Sequence, residues 1–399
     1  MGISSIVVLG QQDWESAIGS NNINIAKEFS KRFKVLYVDN ALDRNTLRRG
    51  KEDPLVQKKL NFVKQGRNGI EQVQENLWVL YPATLLESIN WLPESFAYNM
   101  LNKINNKRLA GRIQEAVQAL HLGDYLLFND SLISKSYYLY RWLSPRFSIY
   151  YSRDNFSSQP YFQKHALREE KELMKRADLV VANSGQLASI ARVSNPNSHD
   201  IGQGCDLSLY DPDQKTLGED IARIPKPIVG YTGFLTSMRL DIDLLGAIAS
   251  SHPEWNIVLI GPEDETFKQS TLHQQKNVHF LGNKKPEELA RYIAAFDVAL
   301  NPQLVNELTQ GNYPRKIDEY LAMGKPVVAT KTDFMSFFQD YCYLSTDAAS
   351  CIQCIEKALA EDTPSLRNQR IAFARTHSWE NNVQKIYDLI PSDLLSPLQ

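Results

Sequence analysis

A basic and an acidic side chain three residues apart, Lys316 and Glu319, follow Gly311, Asn312 and Pro314 at the opening of an apparent helix. Pro314 suits the first helical position, Gly324 suits the stop, and Pro326 bars continuation, so the chain should pass from helix to strand here. Exposed N–H groups at such a helix start attract phosphate. Lys316 and Glu319 share one helical face, the ammonium nearer the anion and the carboxylate one turn deeper. A nucleoside diphosphate has matching parts, because its phosphates need cationic or N–H donors and its ribose hydroxyls need an acceptor. Spacing alone favours a plainer arrangement, an intrahelical Lys316–Glu319 ion pair on a wet surface.

The elements that must position these residues alternate along the chain. Short apolar, β-branched runs at 6–9, 35–38, 77–81, 125–128, 148–151 and 179–182 are separated by helical periodicity, such as Ile25, Ala26, Phe29 and Phe33. They describe one doubly wound α/β domain over 1–204. The Asp-, Pro- and Gly-rich stretch 205–227 reads as a linker. A second series of strands follows at 228–231, 257–260, 278–281, 298–300, 327–329 and 343–344, giving a second Rossmann-like domain over 228–379. In such sheets ligands bind beyond the carboxyl ends of the strands, so two facing domains with a cleft between them would form one shared site.

Composition bounds the rest. The 399 residues are 43% hydrophobic and 23% charged, with 18 Tyr, 16 Phe and 6 Trp, which fits folded domains and not extended disorder. No run approaches the ~18 apolar residues of a membrane-spanning helix. The chain enters its first strand without the charged lead of a signal peptide, which points to the cytosol. The net charge of -2 hides an asymmetry: residues 1–200 carry 26 basic and 20 acidic side chains, the remainder 18 and 26. Twelve basic residues face five acids between 27 and 67. That stretch reads as a solvated mobile loop or as an attraction for anionic lipid at the inner face of the membrane. No nucleic-acid partner is expected.

Several segments resemble a known family. Asn306-Glu307-Leu308-Thr309 leading to Pro314-x-Lys316-x-x-Glu319-Tyr320-x-Ala322-x-Gly324-Lys325-Pro326 looks like the nucleotide-sugar region of GT-B glycosyltransferases, close to the large retaining group called family 4. Asn183-Ser184, Gly204-Cys205-Asp206, Gly230-Tyr231-Thr232-Gly233 and His377-Ser378-Trp379 are similar to that family too. The resemblance implies a donor site of Gly233, Arg239, Thr309, Lys316 and Glu319, with Glu319 on the ribose and Arg239 and Lys316 on the diphosphate. It also implies that the helix at 380–399 returns to the first domain. Gly311 stands where many members have a first Glu, and nearby Glu307 is the candidate substitute; Phe234 stands where many have Arg. The expected activity is transfer of a sugar from a UDP- or GDP-sugar to a glycan, lipid-linked or polysaccharide acceptor. A sugar-nucleotide epimerase and a catalytically silent carbohydrate-binding homologue are the alternatives.

An inverting transfer needs a base for the acceptor's proton. Asp154 and Asp130, each after a strand of the first domain, are the candidates, and Asp13 with Trp14 is suited to hold acceptor or sugar. A retaining transfer needs no such base. No His pair has metal-ligand spacing, and Asp241-Ile242-Asp243 reads as a helix cap, so neither a metal nor a cofactor is expected. His165 reads as a surface residue of a charged helix. Cys351, Ile355 and Ala358 fit the buried stripe of a helix, so Cys351 and Cys354 read as reduced core thiols and not as a metal or redox pair.

Overall fold

The computed structural model describes residues 2–16, 21–153, 165–306, 309 and 313–396. It divides into two compact units: residues 1–204 with 379–399, and residues 205–378.

The first unit is built on an eight-stranded sheet. Its strands are β1 (Ser5–Leu9), β2 (Lys34–Val38), β3 (Gly69–Gln74), β4 (Leu77–Tyr81), β5 (Tyr125–Asp130), β6 (Phe147–Ser152), β7 (Leu179–Ala182) and β8 (Ser198–Asp200). Their order is β8-β7-β6-β5-β1-β2-β4-β3, parallel except for β3, which runs antiparallel on β4. The central strands β1, β5, β6 and β7 are buried at every position, as a sheet covered on both faces requires. The sequence pattern misses β3 and β8. Both are polar edge strands, GIEQVQ and SHD, and an edge buries too little surface to need an apolar run.

One expectation changes in this unit. The basic stretch is ordered, not a mobile loop: it contains β2 and the helices α2 (Arg44–Arg49) and α3 (Pro54–Gln65), after α1 (Asn21–Ser30). Lys59 is buried there, with its ammonium 2.8 Å from Asp13 and 2.9 Å from Asp39. The final helix Trp379–Leu389 packs on α1, where Tyr387 meets Phe29 and Phe33 at ring distances of 5.7 and 5.6 Å. Trp379 fills the space over Gly204, where an added Cβ would come 2.1 Å from its ring. Each such fully buried large side chain stabilises the unit by ~1.5–3 kcal/mol.

The second unit holds a six-stranded, all-parallel sheet: β9 (Ile228–Thr232), β10 (Asn256–Ile260), β11 (Val278–Phe280), β12 (Val298–Asn301), β13 (Val327–Thr330) and β14 (Tyr343–Ser345). The order β11-β10-β9-β12-β13-β14 reverses direction at β9, between β10 and β12. That switch point opens a crevice at the carboxyl end of β9. The stretch expected as a linker packs into this unit instead, with Tyr210 and Ile221 in its core. Asp241 caps the helix Ile242–Ser251 by accepting from Leu244 N at 2.9 Å. Cys351 lies in the core with Ile355 and Ala358.

Candidate functional site

Beyond β9 the chain turns at Gly233, whose φ of 136° favours glycine, and Gly233 N donates to Ile260 O at 2.8 Å. Beyond β10 it turns at Gly261 (φ 148°). A Cβ on Gly261 would lie 1.9 Å from Gly233 O, so the two turns touch backbone to backbone. A Cβ on Gly233 would meet Lys316 Nζ at 2.9 Å and Tyr231 OH at 3.0 Å. The space left above is a cleft of about 730 Å³, lined among others by Gly233, Phe234, Arg239, Tyr231, Lys316 and Glu319. That is the size of a small-molecule site.

The helix carrying the charges is short, Lys316–Ala322, and starts two residues after Pro314; Gly324, at φ 73°, follows its end. Buried side chains anchor it on two sides. Tyr320 OH meets Thr232 N at 2.8 Å, and Asp318 accepts from Tyr313 OH at 2.5 Å and lies 2.8 Å from His377 Nδ1. Asp318 and Tyr320 are wholly buried, so Lys316 and Glu319 have one orientation open to them, toward the cleft. The His377 motif thus clamps this helix.

Lys316 and Glu319 do not pair as a simple surface couple. The Lys316 ammonium donates to Tyr231 OH and lies 4.1 Å from that ring's centroid. Burial lowers its pKa to about 8; Glu319 opposes the shift and Arg239 adds to it. Burial also raises the Glu319 carboxyl, against a hydrogen bond from Tyr210 and the charge of Lys316. The site therefore holds a poorly solvated ammonium, whose charge an incoming anion would stabilise. Tyr231 and Tyr210 have no role in the sequence reading. Tyr231 lies in a quoted motif and was within reach of it, whereas Tyr210 lies in the expected linker.

The pH dependence follows. If the anion is the nucleoside diphosphate that the sequence resemblance implies, it needs the charged ammonium, and stabilisation by UDP should shrink as pH rises from about 7 to about 9.5. Without nucleotide the sign is opposite. Lys316 has a lower pKa folded than unfolded, the unfolded chain binds more protons in that window, and its contribution to stability rises with pH. Melting curves with and without UDP across this range check both directions. Lys316→Met should flatten both, and a UDP effect that ignores pH in the wild type would remove Lys316 from the site.

Arg239 is exposed on the cleft wall, and so are Phe234 and Met238. Thr309 is fully buried, with its hydroxyl bonded to Leu304 O and Asn306 N, so it braces the loop from behind the lining. Glu307, Gly311 and Asp154 lie outside the described residues.

In the first unit, Asp130 ends β5 wholly buried, 3.2 Å from Arg153 Nε, and Arg153 also donates to Gln11 at 2.7 Å. Asp130 is placed to hold Arg153 and is not an open base. Asp13 remains partly exposed and shares Lys59 with buried Asp39. Burial pushes the Asp39 carboxyl up to about 7; Asp13 lies below its usual value because the Asp39 hydrogen bond and Lys59 outweigh its burial. Trp14 is partly buried, edge-on to Tyr37 at 5.1 Å. His165 is not a surface residue: it is 6% exposed, stacks on Tyr98 at 3.8 Å, and contacts Leu92 O at 2.9 Å. It lines a pocket of about 220 Å³ with Gln11, Asn40, Ser131 and Lys135, at the carboxyl ends of β1, β2 and β5.

Residues 226–361 match the family model described as glycosyl transferases group 1. The chain is 26% identical over 242 residues to the putative teichuronic acid biosynthesis glycosyltransferase TuaH of Bacillus subtilis strain 168; the match covers 57% of this chain and 60% of that protein. In structure it is similar to Anabaena Alr3699/HepE in complex with UDP (TM-score 0.63, 20% identity, 96% and 98% of the two chains covered). It is also similar to the E. coli trehalose-6-phosphate structure bound with UDP-2-fluoro glucose (0.64, 12%, 99% and 100%). A third likeness is to sucrose-phosphate synthase from Thermosynechococcus elongatus (0.59, 17%, 97% and 98%). These likenesses show the GT-B fold, two Rossmann-like domains.

Proposed function

We propose that this chain, whose residues 226–361 match the glycosyl transferases group 1 model, moves a hexose-type sugar from a nucleoside diphosphate sugar to a glycan, lipid-linked or polysaccharide acceptor. The second unit takes the donor and the first takes the acceptor. One observation carries the reading: Lys316, Arg239 and Glu319 line a single cleft at the carboxyl end of β9. In the reaction the bond from the anomeric carbon to the diphosphate oxygen breaks, and the electron pair leaves with the diphosphate. Lys316 and Arg239 stabilise that charge, so no metal is assigned to the step. Glu319 accepts hydrogen bonds from the ribose. The acceptor hydroxyl loses its proton to a diphosphate oxygen or to a carboxylate of the first unit, with Asp154 and Asp13 as candidates.

The relatives support UDP as the nucleotide: HepE forms complexes with UDP, with UDP and glucose, and with UDP-glucose. The likeness to TuaH, a putative teichuronic acid biosynthesis glycosyltransferase, supports a polysaccharide acceptor. A cytoplasmic protein that works at the inner membrane face when the acceptor is lipid-linked is the placement that fits a sugar-nucleotide donor; among the described residues no helix is long and apolar enough to cross a membrane.

A thermal-shift panel of UDP, GDP, ADP and their sugars tests this directly. Ligand at about 100 times its Kd stabilises by ~2.7 kcal/mol, which for a unit of this size is a rise of about 5 °C or more. UDP and one UDP-sugar should give it. A panel that leaves the melting temperature unmoved sinks the proposal. Conversion of the sugar nucleotide without acceptor would mark an epimerase, and nucleotide binding without diphosphate release would mark a silent homologue.

A further inference from the structure

The first unit carries an exposed apolar row that lies outside the lining of the donor cleft. We propose that the outward face of α4 (Phe96–Ala119), with Trp91 just ahead of it, docks the protein on an anionic lipid surface. This gives a surface to the membrane placement above, and it stands on observations in the first unit alone.

The first half of the helix, up to Lys107, is inverted relative to an ordinary surface helix, whereas the second half buries Leu109, Ala110, Ile113 and Ala116 in the core in the usual way. The inward face of that first half is polar and hydrogen-bonded: Asn102 and Tyr98 donate to buried Glu169 at 3.3 and 3.0 Å, Asn105 donates to Glu87 O at 2.9 Å, and Asn106 donates to Ser134 O at 3.0 Å. These bonds fix the helix's rotation. Its outward face carries Phe96, Met100 and Ile104, 83%, 48% and 38% exposed, four residues apart and therefore in one row. Trp91, 74% exposed, donates its indole N–H to Ser88 O at 2.9 Å.

Charge selects the occupant. From Ser95 to Gln114 the chain has Lys103, Lys107, Arg108 and Arg112 and no acidic residue. The carboxylates at the margins are already ion-paired: Glu94 with Arg168, Glu87 with Arg44 and Arg108, and Glu115 with Arg112. Lys103 and Lys107 remain exposed beside the apolar row. An aromatic and aliphatic row edged by ammonium groups matches a bilayer interface, where the rings enter the head-group layer and the lysines meet anionic lipid.

Flotation of the full chain with vesicles of phosphatidylcholine and phosphatidylglycerol, mixed at roughly two to one, tests this against pure phosphatidylcholine. Wild type should float with the anionic vesicles and be released by salt. Trp91→Ser/Phe96→Ser and, separately, Lys103→Glu/Lys107→Glu should each lower the bound fraction by about tenfold. Lys276→Glu/Arg291→Glu, an equal change of charge on the second unit, should float as wild type. UDP melting shifts on the same samples confirm that each variant is folded and keep the two proposals apart: a chain that floats but ignores UDP leaves docking intact and removes the donor site. The proposal is overturned if wild type does not float, if the helix variants float unchanged, or if Trp91→Ser/Phe96→Ser instead dissolves a dimer seen by sedimentation, which makes the face a contact between copies.

Discussion

Glu319→Ala is expected to lower kcat/KM for sugar transfer by about 10²–10³-fold. Two losses combine. The ribose loses a carboxylate acceptor, and a hydrogen bond to a charged group contributes ~1.5–3 kcal/mol, or one to two decades. Lys316 also loses the charge that opposes its desolvation, since Glu319 holds its pKa up while burial and Arg239 push it down. Near neutral pH a smaller fraction of the ammonium is then charged to meet the diphosphate. Glu319→Gln separates the effects, because the amide can still accept from Tyr210 but carries no charge; it should fall between wild type and alanine. Steady-state diphosphate release with acceptor present measures all three. Equal rates for wild type and Glu319→Ala would mean that the cleft is not the donor site.

Gly261→Ala should be the most damaging single methyl in the second unit, although the side chain it adds points at no ligand. The new Cβ falls 1.9 Å from Gly233 O, a backbone atom that cannot rotate away, and φ is 148°, where side-chain-bearing residues are strained. A cost of about 3 kcal/mol or more is expected, with loss of UDP binding because the Gly233 turn floors the cleft. Gly246→Ala is the matched control. It lies within the helix Ile242–Ser251, and its Cβ would find its nearest neighbour, Gln275 Nε2, at an ordinary 3.7 Å. There the exchange should be neutral or stabilising by ~0.5–1 kcal/mol. Thermal melts of both variants with and without UDP decide the matter; a Gly261→Ala protein that melts and binds as wild type would show that the two turns do not bear on each other.

Much of this architecture is legible from residue order. Six runs in each half appear as strands within one or two residues, because a strand buried on both faces must be apolar throughout, and that leaves a local signature. The edge strands β3 and β8 escape because a half-covered strand tolerates polar residues. The exposed apolar row of the first half of α4 escapes for a related reason: periodicity shows which residues are alike, not which side of a helix meets protein.

By itself the sequence determined two Rossmann-like sheets and the charged pair Lys316 and Glu319 that marks the donor site. Only the tertiary structure decided how those charges are held. It gives Lys316 to Tyr231 and Glu319 to Tyr210, pins Asp318 to His377 across 59 positions, and sets Lys59 between Asp13 and Asp39. Burial of apolar surface is a property of each segment and repeats at the period of its own backbone. The satisfaction of a buried polar group is a property of a pair, set by loops distant in the chain that the folded sheets bring together.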